Sequence, residues 1–347
     1  MKEKSKGKHK VWKVLGIIFG IILFLLIGGY FILMTHTQII VGFIQNISKD
    51  QVNTQNLFEP LNNPLQDFKN NGQYIITEIN YSKEYPNSYL DITYPDGNLE
   101  MKRPTLFYFH GGGFFGGSKN LGDPLAESDV TALLDDICAE GFNIVNVDYA
   151  FVPDYLFPTP LIQANLAFEY IMNHAEEYHL DMDNIVIMGS SAGAIMTSQL
   201  GSIITNPDYA KLLEIEPVLK KSQVKALIID DAPLIYDKFP LATKILVGNY
   251  VKGSIYLNEN EIKKYNNVLS INSDYIPSVL LGSEYYIDMR EMSSKLKEVD
   301  VEHELIDPLA ERGIEKPHCF VANERVDEIS KDAYDRMIKF VKEKIGM

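Results

Sequence analysis

Residues 184–196 read NIVIMGSSAGAIM, and Gly189, Ser190, Ser191, Ala192 and Gly193 within them have the spacing G-x-S-x-G. The apolar run IVIM ahead of this spacing reads as a buried strand, and residues 191–204 behind it read as a helix. A serine on a tight strand-to-helix turn presents its Oγ at the tip of the turn, and flanking glycines make room for it. Ser191 is therefore the candidate nucleophile. The helix it opens aims free backbone N–H groups at the same point. The plainer alternative is that Ser190 or Ser191 only caps a helix.

A second stretch has matching chemistry. HGGGFFGGS, residues 110–118, follows the apolar run TLFYF. Glycine loses the most conformational freedom on folding, so five in one turn need a reason. Acyl transfer through a serine puts negative charge on a carbonyl oxygen, and preorganised backbone N–H groups must reach it. Ala192, the residue after the nucleophile, is one expected donor, and Gly111 and Gly112 in the loop after the earlier strand are the others. Side chains there would block the turn and the substrate. His110 is expected to brace this loop. A plain flexible loop is the alternative.

Other chemistries lack their residues. There is no H-E-x-x-H, and the two cysteines, Cys138 and Cys319, form no ligand pair, so no metal and no cofactor is expected. GGGFFGG lacks the lysine and spacing of a phosphate loop.

The elements that must position these residues alternate along the chain. Strands are predicted at 73–81, 88–95, 105–109, 142–149, 184–189, 224–230, 278–283 and 301–307. Helices are predicted at 124–140, 160–178, 191–204, 289–298 and 325–345. Apolar strands alternating with amphipathic helices imply an α/β fold with a mostly parallel central sheet covered on both faces. Residues 232–276 interrupt the rhythm and read as a cap insertion above the sheet's C-terminal edge. Residues 35–72, polar and rich in Asn and Gln, read as a linker with one or two short helices. The catalytic domain is thus expected over 73–347.

The ends of the chain differ in charge. Lys2, Lys4, Lys6, Lys8, Lys10 and Lys13 face only Glu3 in residues 1–13, whereas the whole chain carries −15. So acidic a body argues against nucleic acid as a partner. Residues 14–34 contain no charge, and as a helix they would span roughly 30 Å, a bilayer's hydrocarbon thickness. A cleaved signal peptide would have a shorter apolar run and a small-x-small site, which THTQII does not offer. A transmembrane signal anchor at 14–34 is expected. The lysines before it place the tail 1–13 in the cytoplasm and the body outside, at the cell membrane.

HGGGFFGGS, VDYAFVPDYLFPTPLIQANLAFEYI, NIVIMGSSAG and KPHCF, in this order, resemble the α/β-hydrolase superfamily. They are most similar to the hormone-sensitive-lipase-like carboxylesterases and acetyl esterases. The resemblance covers roughly 73–345 and implies the α/β-hydrolase fold and a serine carboxylesterase activity on short acyl or acetyl esters; the expected anchoring outside the membrane points to small-molecule or cell-surface esters as substrates. It implies a general base after the last strand, for which His318 has the position and the H-x-F context. It implies an acid after the strand at 278–283. Glu284 and Asp288 have the family's spacing of two acids four apart; Glu284 is favoured, Asp288 is the alternative, and Asp307 follows. Here Ser190 replaces the family's frequent Asp before the nucleophile, and Cys319 replaces a frequent glycine. A peptidase or amidase on the same fold, or a non-catalytic binding module, are the rival readings.

Overall fold

The computed structural model describes residues 3–119 and 130–347. The predicted helix start at 124–129 lies outside the described residues. The chain begins with a long helix, α1 (Glu3–Thr35), of which Trp12–Thr35 is long and apolar enough to cross a membrane. Almost all of that stretch is exposed. A second helix, α2 (Gln38–Ser48), follows after only His36 and Thr37.

Nine strands form one sheet among the described residues. They are β1 (Gln66–Phe68), β2 (Tyr74–Asn80), β3 (Tyr89–Tyr94), β4 (Pro104–Phe109), β5 (Asn143–Val147), β6 (Asp181–Ser190), β7 (Val224–Asp230), β8 (Ser278–Leu281) and β9 (His303–Ile306). Their order is β1-β2-β3-β5-β4-β6-β7-β8-β9. Pairings up to β3–β5 are antiparallel and all later ones parallel. The central strands are buried along most of their length, with Leu106, Phe107, Ile187, Leu227 and Ile228 fully inaccessible. Both faces of the sheet are thus covered, as parallel strands require.

The crossovers between strands carry the helices. α3 (Val130–Ala139) and α4 (Thr159–Asn173) precede β6, and α5 (Ala192–Thr205) and α6 (Pro207–Leu213) follow it. Between β7 and β8 lie α7 (Leu241–Lys252) and α8 (Glu259–Tyr265), each accompanied by a 3-10 turn. The closing elements are α9 (Tyr286–Glu298), α10 (Pro308–Arg312), α11 (Phe320–Asn323) and α12 (Glu328–Ile345). Residues 232–276 are therefore mostly helical. Helix α4 ends at Asn173, short of the expected 178, and α9 begins three residues earlier than expected.

Residues 35–72 differ from the linker the composition suggests. β1 adds a strand to the sheet, and Val41 of α2 is completely buried. The segment is tied to the body: the main-chain carbonyl of Asn53 accepts from Gly117 N at 2.8 Å, and the Asn56 side chain bonds both the N–H and the C=O of Phe151 at 2.7 and 3.0 Å. The side-chain amides of Asn56 and Gln45 satisfy backbone groups of the body that regular structure leaves over.

The register places the site. Phe109 pairs with Gly189, Ser190 with Asp230, Asp230 with Leu281, and Leu281 with Ile306. Five parallel strands, β4, β6, β7, β8 and β9, thus end close to one line. His110, Ser191, Asp231, Gly282 and Asp307 are the residues at which each strand hands over to its loop. In open parallel sheets, ligand sites form along this carboxyl edge.

Candidate active site

Ser191 sits between β6 and α5 with φ 54° and ψ −115°, a conformation costly for a residue with a side chain. Its N–H bonds Asp230 O at 2.9 Å, so the neighbouring strand fixes the turn. The flanking glycines are sterically required. A Cβ on Gly193 would meet Phe109 O at 1.9 Å, and one on Gly189 would meet Gly193 O at 2.2 Å. β4, β6 and α5 approach so closely here that only bare backbone fits, which gives the G-x-S-x-G spacing its physical cause.

The glycine-rich loop lies beside the elbow. Gly112, Gly113 and Gly117 have positive φ (103°, 58° and 112°), the left-handed region that glycine adopts without penalty. His110 is buried and stacks on Tyr149, with ring centroids 4.3 Å apart and planes 9° from parallel. Its Nδ1 lies 2.6 Å from Gly111 O, and the Tyr149 hydroxyl donates to His110 O at 2.6 Å. His110 is thus built into the wall of the loop. On the loop's other side, Gln45 Nε2 of α2 donates to Phe115 O at 3.0 Å and to Val152 O at 2.7 Å.

His318 lies on the loop after α10, directly before α11. Its Nδ1 is 2.6 Å from Asp231 Oδ2 and 3.6 Å from Glu284 Oε2. The expectation that Glu284 grips the imidazole is corrected on this point: the hydrogen bond runs to Asp231. Glu284 Oε2 is beyond hydrogen-bond distance and its side chain is about half exposed, whereas Asp231 is fully buried. Asp231 leaves β7 with φ 59° and turns its carboxylate toward the end of β8. There it accepts from Ser283 N, Ser283 Oγ, Glu284 N and Tyr285 N at 2.9, 2.6, 3.0 and 2.9 Å. Burial alone would raise this carboxyl, but the hydrogen bond and charge of His318 and the Ser283 donors hold it below the usual range. Its neighbour Asp230 is pushed up to about 7, by burial first and then by the Asp231 charge, with the Ser190 hydroxyl offsetting part. Adjacent buried carboxyls are thus shifted in opposite directions.

The other acids have structural roles. Asp288 is buried and accepts from Leu234 N and Ile235 N at 2.8 and 2.6 Å, bracing the chain as it leaves β7. Burial raises it to about 6, against those two hydrogen bonds. Asp307 caps α10 through Ala310 N at 2.9 Å and pairs with Arg290. Neither approaches His318 as Asp231 does.

Ser191, Ala192, His318 and Glu284 line one cavity of about 230 Å³ together with Gly113, Phe114, Ile195, Pro233, Tyr285 and, from α7, Ala242, Thr243, Leu246 and Val247. The structure brings the expected nucleophile, base and one oxyanion donor to the same hollow. The glycine loop reaches it through Gly113, one residue beyond the expected pair Gly111 and Gly112. The walls are mostly apolar with a few polar groups, among them Ser191, His318 and Glu284, the usual composition of a small-molecule site. No group of three or more His, Cys, Asp or Glu side chains among the described residues is placed to hold a metal.

Comparison with solved structures puts this arrangement on a known frame. Esterase B from Lactobacillus rhamnosis, in a structure inhibited with a tributyrin phosphonate, superposes with a TM-score of 0.66 at 16% identity, covering 81% of this chain and 88% of that one. A bacterial heroin esterase superposes with a TM-score of 0.57 at 18% identity over 80% and 86%. The chain has the α/β-hydrolase fold. The BD-FAE family model matches residues 90–240, which hold the glycine loop, the elbow and Asp231. The acetyl esterase of Salmonella paratyphi B is 30% identical over 115 residues, 32% of either chain. An esterase of Gibberella moniliformis is 32% identical over 99 residues, 28% of this chain and 29% of that one. The matched stretch thus spans about a third of the length of these curated relatives.

Proposed function

We propose that this α/β-hydrolase is a serine carboxylesterase acting on short acyl esters and held at the membrane by α1. One observation carries the reading: a strained Ser191 and a His318 held by a buried carboxylate line the same apolar cavity at the sheet's carboxyl edge. In this mechanism Ser191 Oγ attacks the ester carbonyl and His318 Nε2 takes its proton. Asp231 keeps the proton on Nδ1 and stabilises the imidazolium that forms. The amides of Ala192 and of the glycine run, Gly111 to Gly113, receive the oxyanion. His318 returns its proton to the leaving alcohol, and water releases the acyl group from the serine. Glu284 stands outside the hydrogen bond and adds a second negative charge near the imidazolium.

The modest cavity supports short acyl groups. The tributyrin phosphonate on a protein of the same fold is consistent with that size. Retention of α1 is supported by its last turn. Met34 O accepts from Ile255 N at 3.0 Å and Thr37 N donates to Gly253 O at 2.9 Å, so removal of α1 would strip partners from the body. The lysines ahead of the span support a body outside the membrane.

The test uses the full chain in detergent micelles, comparing wild type with Ser191→Ala on 4-nitrophenyl acetate, butyrate and octanoate and with a fluorophosphonate probe. Turnover and labelling are expected in the wild type alone, with acetate or butyrate preferred. Folded wild type without either signal overturns the serine mechanism.

A further inference from the structure

The helix that follows the span has two opposed faces. Val41 of α2 is completely buried and Gln45 is spent on the glycine loop. On the opposite side Ile39, Phe43 and Ile47, four residues apart each, are 50%, 66% and 59% exposed. Side chains four apart lie on one face of a helix. The helix holds no charged residue, and Lys49 follows its end. Such an apolar stripe facing solvent calls for an occupant.

The preceding chain identifies it. Trp12–Thr35 has 24 residues, about 36 Å of helix at 1.5 Å each, against about 30 Å of hydrocarbon. The last turn of α1 therefore emerges at the lipid boundary. Only His36 and Thr37 separate it from α2, and Thr37 N and Oγ1 are tied to Gly253 O and Asn249 Oδ1 at 2.9 and 3.3 Å. α2 has no length of chain in which to leave the surface. At the same level Tyr256, half exposed, has its ring 6.2 Å from that of Phe31, where interfacial aromatics belong.

We propose that α2 lies in the plane of the lipid surface with Ile39, Phe43 and Ile47 among the headgroups and first acyl carbons, so that the hydrolase body is seated on the bilayer. The inference rests on the reading of α1 as a retained membrane anchor. Helices with one apolar and one polar face bind membranes in this way. Here the inner face is taken by protein. α2 packs against α7, which also supplies Ala242, Thr243, Leu246 and Val247 to the cavity. The cavity wall is thus one helix layer away from lipid.

Trp12 is the only tryptophan, which makes the test direct. The full chain would be placed in phosphatidylcholine vesicles, with and without lipids brominated near the headgroup end of the acyl chain. Trp12→Phe/Phe43→Trp and Trp12→Phe/Ile47→Trp supply the probes, and hydrolysis of soluble 4-nitrophenyl butyrate reports folding. The expected result is blue-shifted emission at both positions, quenched about twofold or more by bromolipid and little by aqueous iodide. Quenching by iodide alone overturns the proposal. Protection from both quenchers also overturns it, because it assigns the stripe to protein, such as a second copy. Trp12 in the wild type reads the anchor separately: quenched there but not at 43 and 47, the anchor stands and the seating fails.

Discussion

Asp231 Oδ2 lies 2.6 Å from His318 Nδ1, at the end of β7, one strand nearer to Ser191 than the loop that follows β8. Two acids therefore surround one imidazole, and they are separable by substitution. Asp231→Asn would present the wrong hydrogen-bonding partner to Nδ1 and lose kcat by roughly 10³-fold or more, with KM little changed. Glu284→Gln is expected to cost less than about tenfold, since its carboxylate makes no hydrogen bond to the ring and is partly screened by solvent. Steady-state kinetics on the two variants decide it. A larger loss in Glu284→Gln would return the orienting role to the loop after β8.

The elbow glycines should tolerate nothing larger. Gly193→Ala sets a Cβ 1.9 Å from Phe109 O, and the obstacle is backbone of a central strand. The expected result is a loss of at least about 2 kcal/mol, the upper range for a single substitution, together with loss of activity. Thermal unfolding would show it as a fall of several degrees in Tm.

Asp230 links stability to pH. Its carboxyl is raised to about 7 in the folded protein, against about 3.9 when unfolded. Between those values the native state holds a proton that the unfolded chain has released. This contribution is fully present at low pH and is lost as pH rises through 7. Asp230→Asn keeps an acceptor for the Ser190 hydroxyl and removes the titration. Compared with wild type, its Tm should decline less between pH 4.5 and 8, as a melting series across that range would show.

Gln45 couples α2 to the chemistry. Gln45→Ala leaves the carbonyls of Phe115 and Val152 without their donor. The expected cost is about 1–2 kcal/mol of stability and a several-fold lower kcat from a loosened oxyanion loop. An unchanged kcat with the stability loss intact would limit the residue to a structural role.

Leu246 sets one wall of the cavity. Leu246→Ala should raise the ratio of octanoate to acetate kcat/KM several-fold, because each methylene accommodated in an apolar pocket is worth roughly 1 kcal/mol. The ratio is measured on the same chromogenic series.

The parts of this site that were legible in the sequence are those whose backbone constraints need special residues. The clash distances at Gly189 and Gly193 are the reason the elbow can be recognised at all. His318 was marked by its place after the last strand. Asp231 was not, although IIDDAP puts two acids at the end of an apolar strand on the same edge as Ser191. Nothing in one sequence tells that the second of them turns with φ 59° into the donors of residues 283–285. The early segment misled through its composition. Asn56 and Gln45 look like solvated linker residues but are consumed by carbonyls and an amide of the body. α7 was hidden because it is covered by α2 and also faces the cavity, so it lacks a clean polar side.

The two-residue joint between α1 and α2 has a consequence for where the proposed esterase would meet an ester. A flexible tether of thirty residues would let a catalytic domain sweep a hemisphere tens of ångströms in radius. With Met34 and Thr37 fastened to the body on either side of the joint, an anchored chain would be left only rotation about the span and drift within the bilayer. For an anchored chain, encounter then becomes a two-dimensional search at constant height. Turnover of a membrane-bound ester would scale with its density per unit area, and an ester fixed farther out than the mouth of the cavity would stay beyond reach.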